Sequence, residues 1–312
     1  VYNAELKTEF IQDYTSSKIT ATLMTQIFDR FEKLESEYDK DLCSFNAIEL
    51  QIALDNILGL RAIGRWSKLS HIRSYIKWCM NKKVPGACYN FDKVNFDGAE
   101  KIRQSTVANP IDLQRYMDEV FDAEGKHHVD NITRAYLWLA FSGLTENVAA
   151  ELTKDNIDFK NMKIFYKDFI CPIYPESLVS LRDAVELTSF GHDHKHYETQ
   201  MDRSEGDLVL RLGKTGVNIQ RLRDYVIRRY HRAKRAGKVA RNISYGRIYI
   251  SGIFYRTYQF EIAGIKPNFA SIVADKREMK GASEQITKDS LRREIRGMEE
   301  DYQNWKFGHG YI

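Results

Sequence analysis

The stretch 135–152, AYLWLAFSGLTENVAAEL, constrains this chain more than any other. An apolar helix runs into Ser142-Gly143-Leu144, turns, and restarts as a second helix that ends at Leu152. Such a helix needs a core to enter. At 312 residues and 36.4 kDa the chain is long enough for two domains and can bury a sizeable core without staples. With 43% hydrophobic and 29% charged residues, its balance is that of an ordinary folded, soluble protein.

Helical periodicity dominates the first hundred residues. Apolar positions recur at three and four in TLMTQIFDRFEKL and in FNAIELQIALDNIL, where Asn46 and Glu49 have capping-box spacing. A further helix is expected to start after Ser67 as N-cap, with Leu69, Ile72, Ile76, Cys79 and Met80 as its inward stripe and Lys68, Arg73 and Lys77 facing water or a partner. Val84-Pro85-Gly86 ends it. Through DGAEKIRQSTVANP the periodicity weakens, which reads as a linker, and Pro110 opens a new helix. The expected division is a helical domain over 1–104 and a second domain over 105–312.

The second domain reads as mostly helical α+β with a small sheet. NIDFKNMKIFYKDFICPIY has the β-rich composition of short strands, with a turn at Lys160-Asn161. Helices are expected at PESLVSLRDAVEL, IQRLRDYVIRRYHRAKR, YISGIFYRTYQFEIAGI, and from Thr287 to about Trp305.

Charge is sorted along the chain although the formal total is only +4. Residues 1–50 hold ten acids against five basic residues. Between Asp55 and Asp92 there is no acid, while Arg61, Arg65, Lys68, Arg73, Lys77, Lys82 and Lys83 are all positive. From Arg221 to Arg247 ten basic residues, among them Arg221, Arg228, Arg232, Arg235, Lys238, Arg241 and Arg247, face one acid, Asp224. In the helix that begins this block, Ile219, Leu222, Val226 and Ala233 form the buried stripe, while Arg221, Arg228, Arg232 and Arg235 share another face. One basic run is ordinarily a solvated face; two acid-poor blocks, one per domain, point to duplex DNA, whose phosphates release counterions when neutralised. Trp66, Tyr75, Tyr225 and Tyr230 lie among these charges, and core packing suits them better than base stacking.

Other chemistry finds little footing. Cys43, Cys79, Cys88 and Cys171 are scattered, without zinc or disulfide spacing, so a reducing cytoplasm is expected. No apolar run approaches a membrane span and no export signal is expected. His192, His194 and His196 in GHDHKHYE alternate, but an exposed polar loop suits them better than a metal. Gly213, Lys214, Thr215 and Gly216 echo a phosphate loop without its spacing. No metal and no cofactor is expected.

The arrangement resembles the tyrosine recombinases, or phage integrases, in which a small helical core-binding domain is linked to a larger helical domain with a small sheet. The best local match is SGLTENVAAELTKDNIDF, similar to the family's T-G-x-R-x-x-E-L-x-x-L followed by a strand. Gly143 and Leu152 fit, but Thr145 stands where the family has arginine, and Val148 where it usually has glutamate. ISGIFYRTYQFEIAG is similar to the family's H-x-x-R helix. Counting back from Ala263-Gly264 puts Ile250 at the histidine and Ile253 at the arginine, with Arg247 and Arg256 as the arginines able to supply that charge. Tyr302 lies where the family keeps its nucleophile, without the L-G-H box and beside Glu299, Glu300 and Asp301.

What the resemblance implies is a DNA clamp that has lost its catalytic arginines. Losing even one such donor typically costs roughly a hundredfold to a thousandfold. The expected function is then sequence-specific binding of double-stranded DNA by a repressor of phage lytic genes that maintains lysogeny at the bacterial nucleoid, and not an enzyme. The alternative is an active site-specific recombinase using Tyr302. A homodimer and a protein anti-repressor stay open as partners.

Overall fold

In a computed structural model the chain divides into two compact units, Val1–Gly98 with Arg296–Asp301, and Ala99–Ile295 with Tyr302–Ile312. The structure describes residues 1–57, 62–95, 98–121, 128–187, 189–194, 197–202, 206–211, 219–281 and 286–311, leaving aside the side chains of 128 and 189–202.

The first unit is built from α1 (Ala4–Tyr14), α2 (Lys18–Tyr38), α3 (Ala47–Ile57) and α4 (Ala62–Asn81). Asn46 starts α3 by the expected capping box: its Oδ1 accepts from the amides of Ile48 and Glu49 at 2.9 Å, and Glu49 Oε2 accepts from the Asn46 amide at 2.9 Å. The helix around Ser67 differs from expectation. It begins a turn and a half earlier, at Ala62, whose amide is capped by Asp301 Oδ1 at 2.9 Å, so Ser67 lies inside it. Its inward face carries Ile72, Tyr75, Ile76 and Cys79, whereas Met80 is exposed. Tyr75 displaces Met80 from the core because its ring packs against Phe10 and Phe28 while its hydroxyl donates to Asp41 at 2.9 Å.

Beneath these rings lies a buried ion pair. Lys7 Nζ donates to both oxygens of Glu35 at 2.5 Å, and neither side chain is more than 2% exposed. Glu35 also accepts from the Leu42 amide at 2.8 Å, which ties α1, α2 and the following turn together.

The second unit opens with α5 (Gly98–Ser105), where a linker was expected. Ala99, Ile102 and Ser105 are buried, so tertiary packing makes a helix of a segment whose weak apolar pattern did not announce one. Then come α6 (Pro110–Phe121), α7 (His128–Phe141) and α8 (Glu146–Glu151). A three-stranded antiparallel sheet follows, β1 (Ile157–Asp158), β2 (Lys163–Tyr166) and β3 (Phe169–Pro172), in sequence order, with Ile164 opposite Ile157 and Cys171. The chain continues through α9 (Leu178–Glu186) into an antiparallel hairpin, β4 (Ser189–His194) and β5 (Tyr197–Asp202). The helices α10 (Ile219–Arg235), α11 (Tyr245–Ile262) and α12 (Phe269–Met279) follow, and the last helix is α13 (Lys288–Gly308), of which Arg296–Asp301 belong to the first unit; Thr287 caps α13 by accepting from the Ser290 amide at 3.2 Å.

The apolar stretch that constrained the sequence lies at the centre of this unit: Ala135 to Phe141 on α7 are each at most 1% exposed. Helix α11 crosses α7 at Gly252, where an added Cβ would lie 1.8 Å from the Phe141 carbonyl oxygen. Only glycine permits so close an approach.

Candidate nucleic-acid interface

Helix α10 carries the clearest charged face. Leu222 and Ala233 are buried as expected, while Ile219 and Val226 are half-buried and Arg229 and Tyr230 complete the inner side. Arg221, Arg228, Arg232 and Arg235 are exposed, and Lys238 is exposed just beyond the helix. Arg229, part of the same basic run, instead lies 3% exposed, ion-paired to Asp130 at 3.4 Å and donating to the Phe121 carbonyl. Arg223 pairs with Glu146 at 2.6 Å. Tyr230 is core, and the Tyr225 hydroxyl donates to Asp130 at 2.7 Å, which gives both tyrosines packing roles.

Arg241 stands apart from this face. Its guanidinium donates to both oxygens of Asp112, at 2.9 and 3.2 Å, and to the Thr106 carbonyl at 3.3 Å, joining the turn after α5 to α6 and to the chain before α11. Burial would raise the Asp112 pKa, but the hydrogen bonds from Arg241, the Ala108 amide and Arg115 outweigh it and hold the carboxyl at about 2. A carboxyl depressed below its unfolded value contributes stability above about pH 4, and that contribution is lost as pH falls through about 2. Asp112→Asn is therefore expected to cost about 2 kcal/mol at neutral pH and much less near pH 2, measurable by urea unfolding at the two pH values. Arg247, on the first turn of α11, is half-buried.

On α4 the predicted set separates. Arg73 and Lys77 are exposed, with their charged ends over the rings of Phe91 and Tyr89 at 5.2 and 5.5 Å. Lys68 is half-buried and donates to the Ile57 carbonyl at 3.3 Å. Arg65, expected on the phosphate-facing surface, is 4% exposed and pairs with Glu300 at 3.0 Å. Its charge is spent inside the first unit, because α4 begins early enough to turn it toward acids of α13. Arg61 lies outside the described residues.

The positions that the resemblance would make catalytic lie within the second unit. Thr145 is 8% exposed and its hydroxyl donates to the Met279 carbonyl at 3.1 Å; Val148, Ile250 and Ile253 are buried. Arg256, one turn beyond Gly252, brings its guanidinium against Gly143, where an added Cβ would lie 2.3 Å from Nη2. Gly143 has φ +93°, so both conformation and crowding favour glycine there. Tyr302 is wholly buried among Phe254, Phe269 and Trp305, and its hydroxyl donates to Glu261. Burial, and then the Glu261 carboxylate, push this phenol well above its ordinary pKa. Lys306 meets the same Glu261 at 3.1 Å. The carboxylate at Tyr302 is thus Glu261, and not its chain neighbours Glu300 and Asp301, which engage Arg65 and the Ala62 amide.

His192 and His194 lie on β4, in register with Thr199 and Tyr197, where a loop was expected; His196 falls outside the described residues. Among the described residues no group of three potential metal ligands comes together. Gly213 to Gly216 also fall outside them. No helix among the described residues is long and apolar enough to cross a membrane.

Residues 1–82 match the family described as the MrpR N-terminal core-binding domain. No curated protein matches the chain in sequence. Among solved structures, XerA recombinase is similar over 96% of this chain and 97% of its own, at 9% identity and a TM-score of 0.38. The Tn1549 transposon integrase, solved in complex with circular intermediate DNA, is similar over 93% of this chain and 98% of its own, at 11% identity and a TM-score of 0.36.

Proposed function

We propose that this protein is a sequence-specific double-stranded-DNA-binding repressor of prophage lytic genes, maintaining lysogeny from a recombinase-type scaffold that performs no strand cleavage. The observation that carries the DNA-binding half is the exposed arginine face of α10, Arg221, Arg228, Arg232 and Arg235, in a chain whose first 82 residues match a core-binding domain. Arginines spaced along one helix face meet successive phosphates and supply affinity independent of sequence, while a subset paired to guanine edges supplies the specificity. Arg73 and Lys77 add charge from the first unit.

The absence of chemistry is supported by Thr145 and by Tyr302. The first puts a buried hydroxyl where a guanidinium would stabilise developing charge, and the second has its hydroxyl committed to a carboxylate. Prophage repression comes from the resemblance to the lytic-cycle master repressor of SPβ-type prophages and agrees with the core-binding match. A homodimer and a protein anti-repressor are partners such a role accommodates.

One observation favours the competing reading of an active recombinase: Arg256 beside Gly143 places a guanidinium in the region that a phosphate would need. Binding to duplex DNA is tested by the double charge reversal Arg228→Glu with Arg232→Glu. It is expected to weaken binding roughly tenfold or more and to flatten the slope of log K against log salt by at least about 2. Undiminished binding in a gel-shift titration would transfer the α10 face to an acidic protein partner.

A further inference from the structure

A cavity of about 1010 Å³ opens within the second unit between β3, α11 and α12. That is at the upper end of the roughly 300–1,000 Å³ range of small-molecule sites. Its wall is largely apolar and aromatic, with Phe169, Tyr249, Ile253, Phe260 and Ile265 among the lining side chains.

Two polar groups at this wall, the half-buried Arg256 and the buried hydroxyl of Tyr174, have incomplete hydrogen bonding among the described residues. Arg256 forms no ion pair among the described residues; its guanidinium rests on Gly143 and lies near the Cys171 thiol. Tyr174 Oη is buried and has no hydrogen-bond partner among the described residues. A guanidinium without a carboxylate next to an unsatisfied hydroxyl is an incomplete hydrogen-bonding set, and a small oxyanion completes it.

The rest of the lining carries both signs. Asp168, Asp275 and Glu278 line the cavity together with Lys163, Lys266 and Lys276, of which Lys276 is paired with Glu294 at 3.4 Å. Beside so apolar a wall, a ligand with one anionic group on an apolar body uses the Arg256 guanidinium and the ring and aliphatic surface together. From this geometry we infer that the cavity binds a small organic anion, a carboxylate or phosphate monoester with an aromatic or branched apolar body, whose charged group sits between Arg256 and Tyr174. Nothing in this inference depends on the protein binding DNA.

The test uses the full chain with benzoate and its neutral isostere benzamide, followed by calorimetry or NMR titration. Benzoate is expected to bind saturably, at roughly millimolar affinity for so small a molecule, and benzamide at least about tenfold more weakly. Arg256→Gln is expected to lower benzoate affinity about tenfold to a hundredfold, and Tyr174→Phe severalfold, with benzamide binding unchanged in both. Tyr174→Phe keeps the inference testable should Arg256→Gln fail to fold. The inference is overturned by an absence of saturable benzoate binding, or by benzoate affinity that is unchanged in the variants that fold. It is also overturned if duplex DNA displaces benzoate and Arg256→Gln weakens duplex binding by the same factor, because the cavity would then be a seat for a backbone phosphate.

Discussion

Raising monovalent salt from about 50 to about 200 mM is expected to weaken the complex with duplex DNA by roughly 10³- to 10⁴-fold. The magnitude follows from which charges the fold leaves at the surface. Among the described residues of the predicted set, Arg73, Lys77, Arg221, Arg228, Arg232, Arg235 and Lys238 are exposed and Lys68 and Arg247 half-buried; Arg65 is buried against Glu300, and Arg241 is tied to Asp112. Seven phosphate contacts correspond to a slope of about −6 in log K against log salt, at about −0.9 per contact. Burying Arg65 and tying Arg241 to Asp112 thus moves the expectation toward the shallow end of what the raw charge count suggests. Fluorescence anisotropy with a labelled duplex over a salt series measures the slope directly, and a value near −2 would leave the α10 face without a role in binding.

Lys7→Met is expected to cost about 3–5 kcal/mol, the largest single-site loss of stability predicted for the first unit. The reason is not the strength of the Lys7–Glu35 attraction. With Lys7 gone, Glu35 is left 0% exposed, keeping among the described residues only the Leu42 amide as a donor, and an unpaired buried carboxylate carries its full desolvation cost. The double variant Lys7→Met with Glu35→Leu removes both charges and should recover most of the loss. Urea denaturation followed by near-ultraviolet signals from the Tyr75 and Trp78 cluster reads the first unit. Equal destabilisation in the single and double variants would mean that packing around Phe28, and not charge, accounts for the effect.

How legible the molecule was depends on the range of the interactions that decide each element. Helix α10 runs over Ile219–Arg235 as its 3.6-residue pattern indicates, and β2 and β3 appear where the β-rich run and its turn place them, because these signals are local. Helix α5 and the β4–β5 hairpin lack such a pattern, and α12, with only Val273 and Lys276 buried, has too narrow a stripe to register. Charge was the least legible quantity at the site. Arg65 finds Glu300 across 235 positions and Arg229 finds Asp130 across 99, so a linear count treats as surface charge what the fold places inside. Arg256 shows the opposite case: alignment from Ala263-Gly264 leaves it outside the motif, yet the close crossing at Gly252 brings it to Gly143. Tyr174 had no sequence signal, since an unpartnered hydroxyl is a property of its neighbours.

Strand cleavage and simple binding separate most directly on a nicked suicide duplex, in which a tyrosine nucleophile would be trapped as a covalent adduct. Burial of Tyr302 and commitment of its hydroxyl to Glu261 predict a salt-sensitive complex that dissociates fully in denaturant, in the wild type and in Tyr302→Phe alike. A denaturant-resistant protein–DNA adduct that disappears in Tyr302→Phe would contradict the account.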